Sequence, residues 1–371
     1  MDDEARTSSG LDPVRQRGRL RPPWGRRSPQ RAVGQDASPS GRATYAALDL
    51  GTNNCRLLIA RPTRDSFRVV DAFSRIIRLG EGLSVSGRLS DQAIERALGA
   101  LAVCRDKMQT RGVTRARLIA TEACRAASNG VEFLERVRDE VGIELEIIDR
   151  ETEALLAASG CTPLVDPEAH NVILFDIGGG SSELVKLGRG KPSNGGPPVP
   201  EIRAWVSLPV GVVTLAERHG GIRVDRTIYE AMVTEVAGHV APFASAHGGD
   251  LVLDAIHMLG TSGTVTTIAG VHLELRRYER RRVDGCWMTD QEVSTVMERL
   301  LTMSYEQRID NPCIGAERAD LVLAGCAILE AIRRAFPCAR LRVADRGLRE
   351  GILVQMMRED GAWQGLREQS S

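Results

Sequence analysis

One short pattern occurs twice in this chain: an apolar run ends in aspartate, and a glycine turn follows at once. The first copy covers residues 48–52 (Leu-Asp-Leu-Gly-Thr) and the second covers residues 175–179 (Phe-Asp-Ile-Gly-Gly). Further short apolar runs follow each copy, which predicts three antiparallel strands joined by short turns. Helical and apolar segments then alternate in both places. The sequence therefore predicts an α/β fold of two duplicated halves with a cleft between them.

The elements predicted from hydrophobic periodicity follow a similar order in both halves. In the first half we expect strands over residues 45–50, 55–60, 67–73, 117–120 and 143–148, and helices over residues 91–111, 131–141 and 150–159. In the second half we expect strands over residues 171–176, 182–187, 202–208, 256–259 and 341–343, and helices over residues 212–218, 226–244, 291–302, 316–335 and 347–357. A further helix is expected to start at Thr264.

Composition changes along the chain and sets the predicted boundaries. Residues 1–43 contain nine arginines, five acidic residues and several prolines, so they are predicted to form a disordered basic tail that buries too little apolar surface to fold. The alternative for this tail is a basic arm that touches an anionic partner. The two halves are predicted over residues 44–163 and 164–358, with a flexible C-terminus over residues 359–371.

The overall composition argues against several classes of protein. The 49 basic and 49 acidic residues cancel, which argues against a nucleic-acid partner. No apolar run reaches the roughly 18 residues that a membrane span needs, so no membrane association is expected. The eight cysteines form no C-x-x-C pair and no signal peptide is recognisable. We therefore expect reduced thiols, no zinc site and a cytoplasmic location.

The two aspartate-glycine turns contain the residue types of a phosphate site. An aspartate at the end of an apolar strand points its carboxylate into the cleft, where it can hold a hydrated Mg²⁺. The glycines that follow let backbone N–H groups approach a phosphate closely. One such turn alone would favour a tight hairpin, but the recurrence at matching places favours phosphate binding. The candidates in the first turn are Asp49, Gly51, Thr52 and Asn53.

The second turn continues into the most informative segment of the chain. Three consecutive glycines cost more backbone entropy than a simple hairpin requires, and two serines after them can donate to phosphate oxygens. Glu183 alternates with apolar strand residues. It therefore either faces the cleft, where it holds a metal together with Asp176, or lies on the surface of an edge strand. The candidate phosphate-binding residues here are Gly178, Gly179, Gly180, Ser181 and Ser182.

A third glycine-rich turn follows the strand predicted over residues 256–259 and opens a helix. Such a turn presents backbone N–H groups and the positive end of the helix dipole to an anion. The alternative is an ordinary threonine-capped helix start. The candidate phosphate-binding residues are Gly260, Thr261, Ser262 and Gly263.

Charged residues near the join between the halves are further candidates. Glu153 lies about one turn inside its predicted helix, where its carboxylate either accepts a proton from an attacking water or interacts with the helix dipole. Arg125 follows a strand and either clamps phosphate with its planar guanidinium or is solvated. The basic run over residues 276–282 either lines a path for an anionic chain or forms a solvated helix face.

In their order along the chain, these motifs resemble those of the exopolyphosphatase / guanosine-pentaphosphate phosphohydrolase (Ppx/GppA) family, in its short two-domain form. The resemblance runs from about Tyr45 to Met357. It implies two duplicated ribonuclease-H-like domains of the actin, sugar-kinase and Hsp70 superfamily. The motifs that carry it are residues 49–53 with Arg56, 120–125, 153–154, 176–183, 207–211, 260–264, 318–320 and 347–351.

The resemblance also implies an activity, the hydrolysis of phosphoanhydrides with Mg²⁺ as cofactor. It makes Glu153 the base that activates water and Asp176 a residue that holds metal or orients that water. Arg125 is implied to contact substrate phosphate. One departure is Leu155, where the family often has arginine. The implied phosphate loop contains Gly178, Ser181, Ser182 and Glu183.

Three functions follow as hypotheses. The first is an exopolyphosphatase that removes terminal orthophosphate from inorganic polyphosphate. The second keeps this chemistry but acts on the 5′-phosphate of guanosine pentaphosphate, although no sequence feature selects a guanine pocket. The third is a non-catalytic nucleotide-binding protein of the actin type, for which Leu155 is the only support. A short family member would hold long polyphosphate less tightly or depend on a homodimer.

Overall fold

The computed structural model describes residues 43–190, 200–249 and 256–363. Five strands form its first sheet: β1 (Tyr45–Leu50), β2 (Asn54–Pro62), β3 (Phe67–Ile76), β4 (Arg115–Ala120) and β5 (Glu146–Ile147). Their order is β3-β2-β1-β4-β5. The central strand β1 is buried at every residue except Asp49, because it pairs antiparallel with β2 on one side and parallel with β4 on the other.

Six strands form the second sheet: β6 (Asn171–Ile177), β7 (Ser182–Gly188), β8 (Glu201–Leu208), β9 (Ile256–Thr261), β10 (Trp287–Thr289) and β11 (Arg340–Ala344). Their order is β10-β11-β9-β6-β7-β8. Read from β8, this order repeats that of the first sheet, with β10 added at the far edge. Both sheets are mixed, since each begins with an antiparallel meander and continues with parallel strands. The predicted α/β fold with two duplicated halves is confirmed.

The helices cover both sheets. Those before the second sheet are α1 (Leu83–Ser86), α2 (Asp91–Thr110), α3 (Glu122–Ala126), α4 (Gly130–Arg136), which continues as a π-helical turn over Val137–Val141, and α5 (Arg150–Cys161), which continues as a 3-10 turn over Thr162–Leu164. Those that follow β8 are α6 (Val212–His219), α7 (Arg226–His247), α8 (Ser262–His272), α9 (Arg280–Val283), α10 (Asp290–Thr302), α11 (Tyr305–Asp310), α12 (Val322–Ala335) and α13 (Leu348–Glu359).

Helices α5 and α13 each pack against the sheet of the opposite half. Ala154 and Cys161 of α5 belong to a core cluster with Val172 of β6, in the second sheet. Ile352 of α13 belongs to a cluster with Tyr45 of β1, in the first sheet. The two halves are therefore joined by an exchange of helices. The division at residues 163 and 164 stays a prediction.

The crossing of α5 and α13 requires glycine. A Cβ atom on Gly160 would overlap the carbonyl oxygen of Gly347, and one on Gly351 would overlap the carbonyl oxygen of Leu156. Because the backbones touch at these points, the two helices lie unusually close. Just before α13, a Cβ atom on Gly347 would lie 3.2 Å from Thr261 Oγ1, at the end of β9 in the second sheet.

Several predicted elements differ from those in the structure. Residues 316–321 form turns and not the first part of a helix, since α12 begins at Val322. Residues 359–363 complete α13 and a turn in which Ala362 is buried. The predicted tail is described only at Ala43, and residues 191–199 and 364–371 also lie outside the described residues. Among the described helices, none has the length and apolar character to cross a bilayer.

Candidate active site

The two aspartate-glycine turns form equivalent loops, which we name loop 1 (residues 49–56) and loop 2 (residues 176–183). In loop 1, Asp49 pairs with Arg56 across β1 and β2. In loop 2, Asp176 pairs with Glu183 across β6 and β7. Each loop is closed by the same backbone hydrogen bond, from Gly51 N to the Asn54 carbonyl (2.9 Å) and from Gly178 N to the Ser181 carbonyl (3.0 Å). The loops therefore share one geometry.

Both loops open into one cleft with a volume of about 650 Å³. The cleft brings together most of the residues that the sequence singled out, including Glu153 from α5. A crevice shared by Asp49, Asp176 and Glu153 is the arrangement that the duplicated motif predicts. The predicted site residues that line the cleft are Asp49, Gly51, Thr52, Asn53, Glu153, Asp176, Gly178, Gly179, Gly180, Ser181, Glu183, Thr261, Ser262 and Gly263.

Three predicted residues do not line the cleft. The Ser182 hydroxyl is buried and donates to the carbonyl oxygen of Val210 (2.7 Å). Gly260 lies inside the second sheet, where a Cβ atom would be 2.5 Å from the Phe175 ring. The Arg125 guanidinium is held by other protein groups. Our prediction that Ser182 and Gly260 face the phosphate therefore does not match their positions.

Loops 1 and 2 face each other at close range. A Cβ atom on Gly179 would lie 2.9 Å from Thr52 Cβ, and one on Gly180 would lie 2.8 Å from Thr52 Oγ1. One on Gly211, just before α6, would overlap the backbone of Gly179. The glycines are thus explained by close approach between the halves as well as by access of backbone N–H groups to a phosphate.

Loop 2 contains two carboxyl groups with raised pKa values. Burial raises the pKa of Asp176 to about 6, with Arg56 opposing the shift and Asp49 adding to it. Burial also raises the pKa of Glu183 to about 7, with a further contribution from Asp176. The hydroxyls of Ser181 (2.8 Å) and Ser207 (2.9 Å) donate to Glu183 Oε1. Among the described residues neither carboxylate forms an ion pair with an arginine or lysine, so the pair fits a site for a bound cation.

Helix α5 carries Glu153 into the cleft. The helix begins after Asp149, whose carboxylate accepts from Thr152 N (2.7 Å). Glu153 Oε2 accepts from Arg125 Nη2 at 3.1 Å. Burial raises the pKa of Glu153 well above its ordinary value, and the charge of Glu183 adds to the shift while that of Arg125 opposes it. A carboxylate of raised basicity at this position suits a general base.

The Arg125 guanidinium is oriented by three partners. Its Nη2 donates to Glu122 Oε2 (2.6 Å) as well as to Glu153, and its Nη1 donates to the Ile148 carbonyl (2.6 Å). Burial opposes the charge on Arg125, but Glu153 and Glu122 raise its pKa, so it is a firmly charged partner. In the structure Arg125 therefore contacts two carboxylates that line the cleft, Glu122 and Glu153, and does not line the cleft itself.

The third turn places the first residues of α8 at the cleft. Ser262 has a φ of 78°, in the left-handed region that is rare for residues other than glycine. Strain of this kind concentrates at binding sites. The α8 backbone N–H groups at this end have no intrahelical partners, so the helix start can bind an anion. Thr261, Ser262 and Gly263 are the residues that line the cleft here.

Sequence reasoning gave no role to the cleft arginines. Arg56, Arg318 and Arg349 were noted only within motifs, yet within the described part of the chain their guanidiniums have no hydrogen-bond or ion-pair partner. Burial lowers the pKa of Arg349, with Glu350 opposing the shift. The sequence signal for Arg56 was its place seven residues after Asp49, the same spacing as from Asp176 to Glu183. The arginines that line the cleft are Arg56, Arg75, Arg318, Arg346 and Arg349.

Comparison with known proteins gives a consistent result. A model described as the Ppx/GppA phosphatase family matches residues 58–360. A Ppx/GppA family member from Aquifex aeolicus is 28% identical, with a TM-score of 0.69, and the match covers 86% of this chain and 98% of that one. An exopolyphosphatase-like protein is 28% identical, with a TM-score of 0.73 and coverage of 85% and 99%.

An exopolyphosphatase from Cytophaga hutchinsonii is similar in fold. It is 24% identical to this chain, with a TM-score of 0.76, and the match covers 85% of this chain and 98% of that one. The similarity thus extends over nearly the whole length of each of these structures.

Proposed function

Since the chain belongs to the Ppx/GppA phosphatase family, it is a phosphoanhydride hydrolase, and we propose that it removes terminal orthophosphate from inorganic polyphosphate. The lining of the cleft supports this choice of substrate. It consists of glycine turns, hydroxyls and arginines, and Tyr278 is the sole aromatic residue among the described residues that line it. Its hydroxyl donates to Asp345 (2.6 Å). A guanine base would find little to stack against.

The observation that carries the proposal is the position of Glu153. Its carboxylate lies in the cleft that both glycine loops line, and Arg125 holds its orientation. A water beside it would lose a proton to Oε1 or Oε2 and attack the terminal phosphorus in line with the bridging oxygen. That bridging oxygen leaves with the shortened chain. Loop N–H groups and the cleft arginines Arg56, Arg318 and Arg349 stabilise charge on the equatorial oxygens, which is the main task in phosphoryl transfer.

The carboxylates of loop 2 fit Mg²⁺. The ion commonly binds through one or two carboxylates and completes its shell with waters and substrate phosphates. Asp176 and Glu183 offer such a pair, although no cluster of three or more His, Cys, Asp or Glu residues suited to a metal occurs among the described residues. When bound, Mg²⁺ would neutralise phosphate charge. The pKa values of both carboxyls are raised because both groups are buried and other negative charges lie close to them, and a bound cation would stabilise their ionised forms.

A comparison of two variants tests the assigned base. Glu153→Gln keeps the shape of the side chain but removes the proton acceptor, and Glu151→Gln makes the same change at an exposed position of α5. Orthophosphate release from polyphosphate with Mg²⁺ should fall by about 100-fold or more in the first variant only, the range typical of a lost general base. Equal rates in the two variants would refute the role of Glu153.

The substrate is tested by a parallel assay. Orthophosphate release is measured on polyphosphate, guanosine pentaphosphate and ATP, each with Mg²⁺ and with a chelator in its place. We expect the highest kcat/KM on polyphosphate and loss of activity without the metal. A higher kcat/KM on guanosine pentaphosphate would replace the proposed substrate but keep the chemistry. Full activity in the chelator would remove the metal from the proposal.

A further inference from the structure

Four exposed arginines lie at the border of the cleft in the second half. They belong to the basic run over residues 276–282, and we name them the arginine rim: Arg276, Arg277, Arg281 and Arg282. The sequence left two roles open for this run, a path for an anionic chain or a solvated helix face. The structure gives the run a defined position, because groups next to the arginines contact residues that line the cleft.

The first part of the run is held at the cleft at two points. Just before the run, the Leu275 carbonyl accepts from Cys313 Sγ at 3.5 Å, and Cys313 lines the cleft. Within the run, Tyr278 lines the cleft itself, and its hydroxyl donates to Asp345, another lining residue. The first two arginines of the rim follow Leu275 and precede Tyr278 in the chain. The backbone that carries them is therefore part of the cleft border.

A third contact holds the second part of the run. Arg280 Nη2 donates to Glu350 Oε1 at 2.9 Å, and Glu350 lines the cleft. This carboxylate is fixed in turn, because it is buried and its Oε2 accepts from Gly347 N at 3.0 Å. Arg281 and Arg282 follow Arg280 directly, on α9. Each arginine of the rim thus lies within two residues of a group that contacts the cleft lining.

The arginine rim carries positive charge that no other protein group neutralises. Among the described residues, none of its four guanidiniums has an ion-pair or hydrogen-bond partner. Glu279 is the one acidic residue of the run, whereas the whole chain has equal numbers of basic and acidic residues. The positive excess is therefore local. Charge of one sign at the border of a cleft attracts a substrate of opposite charge and raises its local concentration.

The first half contributes less positive charge to its own border of the cleft. There the lining residues of β3 are Ser74, Arg75 and Ile76. Arg75 is the one arginine among them, and its guanidinium lies over the Phe73 ring, 5.2 Å from the ring centroid. An anionic chain that extends out of the cleft is therefore attracted more strongly to the second half than to β3.

A long polyphosphate chain cannot be contained in a cleft of about 650 Å³, so most of its phosphates lie outside. We propose that the part of the chain beyond the cleft runs along the arginine rim, where the unpaired guanidiniums bind its phosphates. Arginine suits this task because its planar guanidinium can donate two hydrogen bonds to one phosphate. The rim selects long chains over short ones and takes no part in the chemistry at Glu153. This inference rests on the proposed function and adds a chain-length preference to it.

Charge reversal at the rim tests the inference. Arg276→Glu with Arg277→Glu reverses two rim charges, and Arg68→Glu with Arg88→Glu reverses two exposed arginines that do not line the cleft. At about 0.15 M salt, charges more than roughly 8 Å apart are largely screened, so the comparison reports local contacts. We expect KM for long-chain polyphosphate to rise by about 10-fold in the rim variant alone. Its kcat, and its KM for tripolyphosphate, should stay close to the wild-type values.

Two further measurements separate charge from structure. Arg276→Lys with Arg277→Lys keeps the charge but loses the planar fork, so its KM should lie between those of the wild type and the glutamate variant. The slope of log KM against log salt concentration should become shallower by about 1 for each phosphate contact that the glutamate variant loses. Arg281→Glu with Arg282→Glu repeats the test on α9 if circular dichroism shows that the first variant does not fold.

Three results would overturn the inference while polyphosphate is still hydrolysed. The first is an equal KM for long chains in the rim and control variants. The second is an equal rise in KM on tripolyphosphate and on long chains, because the rim would then act on phosphates inside the cleft. The third is a rise in KM for long chains in Arg75→Glu but not in the rim variants, which would place the chain over β3. Wild-type protein that releases no orthophosphate from polyphosphate would instead contradict the proposed function.

Discussion

Loops 1 and 2 are closed by the same backbone hydrogen bond but differ in charge, because loop 1 has one aspartate and one arginine whereas loop 2 has two carboxyl groups and no cation. Each contains an aspartate paired across a hairpin with the residue seven positions later, but that partner is Arg56 in loop 1 and Glu183 in loop 2. Loop 1 is therefore suited to hold an anion, and loop 2 is suited to hold a cation. We therefore propose that the two halves of the duplicated fold divide the binding of a metal-phosphate complex between them.

The two loops also differ in what supports them. Loop 1 accepts hydrogen bonds from the segment after β3, with Ile77 N and Arg78 N both donating to the Asn53 carbonyl (2.8 and 3.1 Å). Loop 2 accepts from the start of α6, where Val212 N donates to the Gly178 carbonyl (2.9 Å). A helix start is more rigid than an irregular segment. We therefore expect loop 2 to tolerate change less well than loop 1.

The largest predicted difference is between Gly178→Ala and Gly51→Ala. A Cβ atom would lie 2.7 Å from the Ser181 carbonyl in loop 2, but 3.5 Å from the Asn54 carbonyl in loop 1. Neither glycine has a positive φ, so the pair compares available space alone. Misplacement by about 1 Å can cost on the order of 100-fold in rate. We expect a loss of this size in kcat/KM for Gly178→Ala and little change for Gly51→Ala.

Circular dichroism and a melting curve for both variants show whether the fold persists. Equal losses of kcat/KM in the two variants would mean that the space available to a Cβ atom at these glycines does not distinguish the loops. A loss confined to Gly51→Ala would reverse the assignment of the tighter loop. Either result would contradict the claim that loop 2 is packed more tightly than loop 1 at this glycine.

The duplication itself was predictable because its signals are local. The strand ends at Asp49 and Asp176 and the glycines after them are visible in any window of about eight residues. The predicted start of α2 after Ser90 is confirmed for the same reason, since its hydroxyl accepts from Ala93 N (3.3 Å). Strands, turns and helix caps depend mainly on residues that are neighbours in the sequence, so the sequence alone is enough to predict them.

Features that depend on distant residues were not predictable in this way. The exchange of α5 and α13 rests on backbone contact between Gly160 and Gly347, which are far apart in the chain. Similarly, Arg125 reaches the Ile148 carbonyl and Glu153, which are 23 and 28 residues away in the chain, so its part in orienting Glu153 had no local signal. The edge strand β10 is only three residues long and is formed by pairing with β11.

The next difference concerns stability in the absence of metal. The pKa of Asp176 is raised to about 6, so the folded state binds its proton more tightly than the unfolded state does. Stability from this group is present below its unfolded pKa and is lost as pH rises through about 6. Asp176→Asn should therefore raise the free energy of unfolding at pH 8 by about 2 kcal/mol, after allowance for partial exposure to the cleft.

Asp49→Asn is the matched change in loop 1. The pKa of Asp49 is also raised by burial, but Arg56 and Arg349 both lower it and stabilise the charge. The increase in the free energy of unfolding at pH 8 should therefore be smaller for Asp49→Asn than for Asp176→Asn. Urea unfolding in a chelator at pH 4, 6 and 8 measures both. An equal gain for the two variants would remove the electrostatic difference between the loops.

A smaller difference is expected from the paired residues themselves. Glu183→Gln removes one negative charge from the cation side, so the Mg²⁺ concentration that gives half-maximal activity should rise by about 10-fold. Arg56→Gln removes a positive charge that faces both loops. It should raise KM for polyphosphate but should not raise the Mg²⁺ requirement, because Arg56 lowers the pKa of Asp176 and its loss removes a charge that repels a cation there. Activity is measured against Mg²⁺ concentration at saturating polyphosphate, and against polyphosphate concentration at saturating Mg²⁺. The two titrations separate the two effects. A rise in the Mg²⁺ requirement of both variants would contradict this division between the loops.

The smallest effect is expected at Arg78, which supports loop 1 through its backbone N–H and forms an ion pair with Asp320 of the second half. Arg78, with a φ of 47°, pairs with Asp320 (2.8 Å) and donates to the Glu317 carbonyl (3.1 Å), next to the cleft residue Arg318. The pair is partly exposed, so its loss should cost less than about 1 kcal/mol. Arg78→Ala should raise KM for polyphosphate a few-fold at unchanged kcat, because the cleft closes less firmly over the chain. Arg78→Asp with Asp320→Arg should restore KM, whereas a fall in kcat that the exchange does not reverse would place Arg78 in the chemistry itself.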